Sequence, residues 1–147
     1  MRLTDAVVRS RGFPLIAAVL IACVGVPRVG SAQSTCHPQD GNTTTLYQWA
    51  KEVATGTDSL SAVNRQAFSI PSTSASKVSI VTSASTCNAA GNAVSLALGS
   101  SPTDGRAVHV VKVDKVYVVS DPVERVGGFG RSFVFDSKWR LLERILD

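Results

Sequence analysis

The sequence predicts an α+β domain in which helices pack on one face of a mostly antiparallel, four- or five-stranded sheet. Three observations carry that prediction. Segments of helical period crowd the stretch from residue 45 to 99, valine-rich extended segments follow from Ala107 onward, and two cysteines, Cys36 and Cys87, remain once an N-terminal leader is set aside. Helical pattern first and extended pattern afterwards is the order of a segregated α+β fold.

The first helix is marked by Leu46, Trp49, Ala50 and Val53 at i, i+3, i+4 and i+7. Thr45 with Gln48 three residues on reads as a capping box, and Gly56 as the C-terminal stop. Thr57-Asp58 opens a second helix, in which Leu60, Val63 and Ala67 keep the spacing until Ile70-Pro71 ends it. Residues 71–76 form a Ser/Thr/Pro linker, and residues 77–82 alternate in the β manner. Thr86 caps a third helix with Cys87, Ala90, Val94 and Leu98 on one face and Gly99 as its stop. Gly91 within it either costs about 1 kcal/mol against alanine or admits a close backbone.

Residues 107–113 and 116–120 read as a hairpin turning at Asp114-Lys115, which sets His109 opposite Ser120. Asp121-Pro122 breaks the strand, Gly127-Gly128 marks a loop, and Phe129, Arg131, Phe133 and Phe135 alternate in a further strand. After the turn at Asp136-Ser137-Lys138, Trp139, Leu142 and Leu146 suit a helix while Trp139, Leu141 and Ile145 suit a strand. A strand is predicted, because a tight turn returns most directly as a hairpin partner.

Residues 1–32 read as a signal peptide, leaving residues 33–147 as a single α+β domain. Arg2, Arg9 and Arg11 give a positive start, an apolar run extends from Phe13 to Val26, and Gly30-Ser31-Ala32 offers small residues for cleavage. The run is shorter than the roughly 18 to 20 residues that cross a bilayer, so no membrane span is expected in the mature form. A competing route is open at Leu20-Ile21-Ala22-Cys23, which resembles a lipobox and would anchor the chain through an acylated Cys23. Either way the destination is export, periplasmic or secreted.

The leader also carries the basicity. Arg2, Arg9, Arg11 and Arg28 against Asp5 account for most of the whole-chain charge of +4, so residues 33–147 carry +1. That leaves little for the counterion release that drives nucleic-acid binding, and nucleic acid is excluded as a partner. An even pair of cysteines in an exported domain reads as a disulfide, Cys36 to Cys87. No metal site is expected, because there is no Cys-x-x-Cys and His37 lies far from His109 in sequence. No cofactor is expected either.

Candidate chemistry is sparse. His109, Ser120 and Asp121 form the one trio that resembles a base and a nucleophile, but no G-x-S-x-G elbow accompanies it. Gly127-Gly128-Phe129-Gly130 is a candidate interaction loop, with no following helix to bind an anion. Asp121, Glu124 and Asp136 lie near turns, where solvation and turn formation explain them. Asn42-Thr43-Thr44 is a glycosylation sequon where the host glycosylates.

Val81-Thr82 followed by Cys87-x-x-Ala90, then Tyr117-Val118-Val119-x-Asp121-Pro122 and Val134-Phe135-Asp136-x-x-Trp139-x-Leu141-Leu142, resembles a group of small uncharacterised exported bacterial proteins. The likeness runs from Thr57 onward, implies a bacterial origin and transfers no site residues. Cystatin-like and PepSY-like modules share the general shape, without a matching inhibitor wedge here. The expected function is therefore a non-catalytic exported binding module for a protein, peptide or envelope component, using the sheet face or the Gly127–Gly130 loop. A small hydrolase-type enzyme using His109 and a secreted peptidase inhibitor are the alternatives.

Overall fold

Apolar side chains occur in consecutive pairs along the central strands, Val110-Val111 and Val118-Val119, and this decides the layering. Neighbouring residues on a strand point to opposite faces, so both faces of the sheet need a cover. The computed structural model describes residues 36–37, 39–101, 106–122 and 131–145, all within one compact unit. The leader with Cys23, the Gly127–Gly130 loop and Glu124 lie outside the described residues.

Helix α1 spans Gly41–Thr55, α2 spans Ser59–Phe68 and α3 spans Ala84–Ala97. Five strands, β1 (Val78–Ile80), β2 (His109–Val113), β3 (Val116–Asp121), β4 (Arg131–Phe135) and β5 (Leu141–Ile145), form one sheet in the order β1-β2-β3-β4-β5. Every neighbouring pair is antiparallel. The α+β class and the five-stranded antiparallel sheet are thus as the sequence predicts, and the last segment is a strand paired with β4.

The helices do not share one face. Val111, Val113, Val116, Val118 and Val134 pack with Leu46, Ala50, Val53 and Ala54 of α1 and with Ile70 beyond α2. Val110, Val119, Phe133 and Phe135 pack instead with Cys87, Ala90, Ala93 and Val94 of α3. The expectation of a one-sided cover is corrected by the doublets in β2 and β3: one apolar row per strand would have sufficed for one layer of helices.

Helix starts shift for chemical reasons. α1 begins after Asp40, whose Oδ1 accepts the backbone N–H groups of Asn42 (2.9 Å) and Thr43 (3.0 Å) in a capping box completed by Thr43. An aspartate caps better than the predicted Thr45, which instead lies inside the helix with its hydroxyl on the Gly41 carbonyl at 2.6 Å. α3 begins after Ser83 rather than Thr86. At its far end Gly99, with φ of 75°, closes a Schellman motif: the Ser100 N–H donates to Ser95 O at 2.8 Å and the Gly99 N–H to Leu96 O at 3.1 Å.

α2 forms where the sequence places it, with its apolar stripe turned outward. Its stripe of Leu60 and Val63 is 67% and 60% exposed, and Ala67 is exposed as well. The helix docks through its polar side: Arg65 Nη1 donates to the carbonyls of Val53 (2.8 Å) and Gly56 (2.7 Å), at the end of α1 where carbonyls lack helical partners. Ser61 is buried against the same corner, and a Cβ at Gly56 would stand 2.7 Å from the Glu52 carbonyl oxygen and collide with the Ser61 side chain. Phe68 adds an edge contact to Trp49 at 5.8 Å between ring centres.

A disulfide joins Cys36 to Cys87 as expected, with their Cα atoms 5.0 Å apart. It ties the first turn of α3 to the chain ahead of α1, where Cys36 also makes a parallel bridge with Val108 at the head of β2. No described helix is long and apolar enough to cross a membrane.

Candidate functional site

The sequence-derived trio is only half assembled. His109 and Ser120 are cross-strand partners, as the two-residue turn at Asp114-Lys115 requires. Asp121 follows Ser120 directly and so projects from the opposite face, where its Oδ2 accepts from Arg106 Nη1 at 2.7 Å and lies 3.6 Å from Arg131 Nη2. Sheet geometry therefore separates this carboxylate from His109. Asp136 serves the turn its position suggests: Oδ1 accepts the N–H groups of Lys138 (2.8 Å) and Arg140 (2.9 Å), and Oδ2 pairs with Arg140 Nε. Hydrogen bonds from Arg140 hold its carboxyl below the usual range, against some burial.

His109 has different company. The His37 N–H donates to Val108 O at 2.9 Å, which lays residue 37 alongside the head of β2 and brings its imidazole to 4.5 Å from that of His109, centre to centre. Their separation in sequence rules out a local ligand pair. The disulfide at Cys36 and the Cys36–Val108 bridge bring them together instead, and no local spacing motif announces such a contact.

The N-terminus of α1 supplies the third member. Asp40 Oδ1 is committed to capping, while Oδ2 lies 3.7 Å from His37 Nδ1. Thr43, buried on the next turn, places Oγ1 2.6 Å from His109 Nδ1 and 3.5 Å from Asp40 Oδ1. The Thr43 hydroxyl accepts from Nδ1–H in one imidazole tautomer and donates to a bare Nδ1 in the other; in the first it turns its own proton toward the Asp40 carboxylate. The first tautomer leaves Nε2 with the lone pair. Nε2 is buried and has no hydrogen-bond partner among the described residues.

The electrostatics agree with this arrangement. The Thr43 backbone N–H is the main reason the Asp40 carboxyl is held below the usual carboxylate range; burial opposes it, and His109, the Asn42 N–H and His37 add to it. His109, only 3% exposed, is pushed below the ordinary imidazole range first by desolvation and then by His37, with Asp40 opposing. At neutral pH the site thus holds an ionised Asp40 beside a neutral His109. Among the described residues, His37, Asp40 and His109 are a group whose ligand atoms all lie within 4.8 Å of one another.

Thr43 connects cap and imidazole, so Thr43→Val, which keeps the shape and removes the hydroxyl, leaves the buried His109 Nδ1 without this hydrogen bond. The expected loss is about 1 to 3 kcal/mol of unfolding free energy, read by urea denaturation at neutral pH.

No protein-family model, curated protein or solved structure matches the chain.

Proposed function

We propose that the protein is a non-catalytic exported binding module, and that it docks a partner protein through the outward face of α2. The observation that carries this reading is the exposure of Leu60 and Val63, one turn apart, with Ala67 one further turn on. A helix that turns its polar side inward and its apolar ridge outward has the surface that packs into a groove on another protein. The sheet-face route is disfavoured, since helices occupy both faces. Export is supported by the leader pattern together with the Cys36–Cys87 disulfide, which persists in oxidising compartments. The hydrolase alternative loses support because Asp121 faces away from His109.

The test compares wild type with the pair Leu60→Asp, Val63→Asp as bait against envelope extract. Both residues are exposed, so the fold tolerates the change. The reading expects a partner retained by wild type and weakened by at least about tenfold with the variant, as for loss of an interface anchor. Equal retention by both, or none by wild type at micromolar bait, overturns it.

A further inference from the structure

We infer that His37, Asp40 and His109 form a binding site for a divalent transition cation of the zinc class. The inference is independent of the α2 reading. It rests on three side chains from two parts of the fold, His37 and Asp40 at the entry to α1 and His109 on β2, whose ligand atoms lie within 4.8 Å of one another. Two imidazoles and one carboxylate are the donor set that suits zinc, nickel and copper, and they suit calcium and magnesium poorly.

The set is prepared in the way a metal site needs. His109 is anchored on β2 with Nδ1 on the Thr43 hydroxyl, which fixes the ring, and the tautomer with its proton on Nδ1 has Nε2 as the atom with a lone pair to give. Nε2 is otherwise a buried polar atom without a hydrogen-bond partner among the described residues, which costs free energy in the fold. Asp40 divides its oxygens: Oδ1 is held by two backbone N–H groups, and Oδ2 faces His37. His37 is the adjustable member, with its side chain 33% exposed.

Adjustment is needed. Ligand atoms at 2.0 to 2.1 Å from a tetrahedral ion lie about 3.3 Å apart, so the widest pair must close by roughly 1.5 Å. His37, the more exposed histidine, supplies that adjustment while Asp40 Oδ1 stays on the helix cap. The positive end of α1 works against a cation here, but it amounts to about half a charge and Asp40 contributes a full one. Because Asp40 already occupies the helix N-terminus, an anion has no place in the same cluster. Three protein ligands leave a fourth position for water or an outside donor.

The test is calorimetric titration of the full chain, disulfide formed, with zinc sulfate alone, beside His37→Ala and Asp40→Asn. His37 is a partly exposed loop residue, and asparagine keeps the helix cap, so circular dichroism should show both variants folded. Wild type should take up one ion per chain, each variant should bind at least about tenfold more weakly, the loss that removing even a supporting group brings, and magnesium should give no saturable heat. The inference is overturned if wild type shows no stoichiometric uptake, or if either folded variant binds zinc as wild type does.

Discussion

Replacing both bridging cysteines, Cys36→Ser with Cys87→Ala, is expected to lower the unfolding free energy by about 4 kcal/mol in the chain-entropy model. The bridge spans 51 residues, and a loop of that length removes much of the freedom of the unfolded chain. Against the roughly 5 to 15 kcal/mol of a typical domain, this is a large share. Cys87 is fully buried in the α3 layer, so alanine is chosen there to avoid burying a hydroxyl. Because the effect acts on the unfolded ensemble, urea denaturation should show a lower midpoint together with a steeper slope, since the uncrosslinked chain exposes more surface. An unchanged midpoint would mean that the Cys36 segment contributes nothing to the fold. The same change releases the residue that precedes His37, leaving the His37 N–H bond to Val108 as the backbone tie to β2.

Asp121→Ala is expected to cost about 3 kcal/mol, by the energetics of breaking one side of a buried ion pair. The Asp121 side chain is 5% exposed and lies 2.7 Å from Arg106 Nη1, while Arg106 Nε also donates to Ser95 Oγ at 3.3 Å. Arg131 contributes little, at 3.6 Å and half exposed. Removing the carboxylate takes from Arg106 its short 2.7 Å ion pair between α3 and the end of β3. The double change Asp121→Leu, Arg106→Leu should therefore recover most of the loss, because desolvating the pair offsets much of its attraction. Thermal or urea denaturation of the single and double variants checks this, and a double variant no better than the single would count against it. The cost belongs to stability, not to a catalytic carboxylate.

Much of the fold was legible from local signals. The Asp114-Lys115 turn specified the register that sets His109 against Ser120, because a two-residue hairpin leaves one pairing. The return from Asp136 predicted β5 on the same ground. Helix starts were less legible: Asp40, Thr43 and Thr45 all compete for the cap of α1, and the winner is decided by which side chain reaches two N–H groups at once. The α2 stripe marked a helix and left its covered side open, since apolar spacing does not say which side another element covers. Arg65 reaching the open carbonyls of α1 settled that side.

By itself, then, the sequence determined the elements, a mostly antiparallel sheet and the cysteine pair, because each depends on periods of two or 3.6 residues, short turns or simple parity. Only the tertiary structure decided that helices cover both sheet faces, that Asp121 turns away from His109, and that His37 and Asp40 meet His109. Those outcomes depend on side-chain direction at contacts between residues distant in the chain, where a strand's alternation sends adjacent residues to opposite layers and a disulfide brings remote ones to the same one.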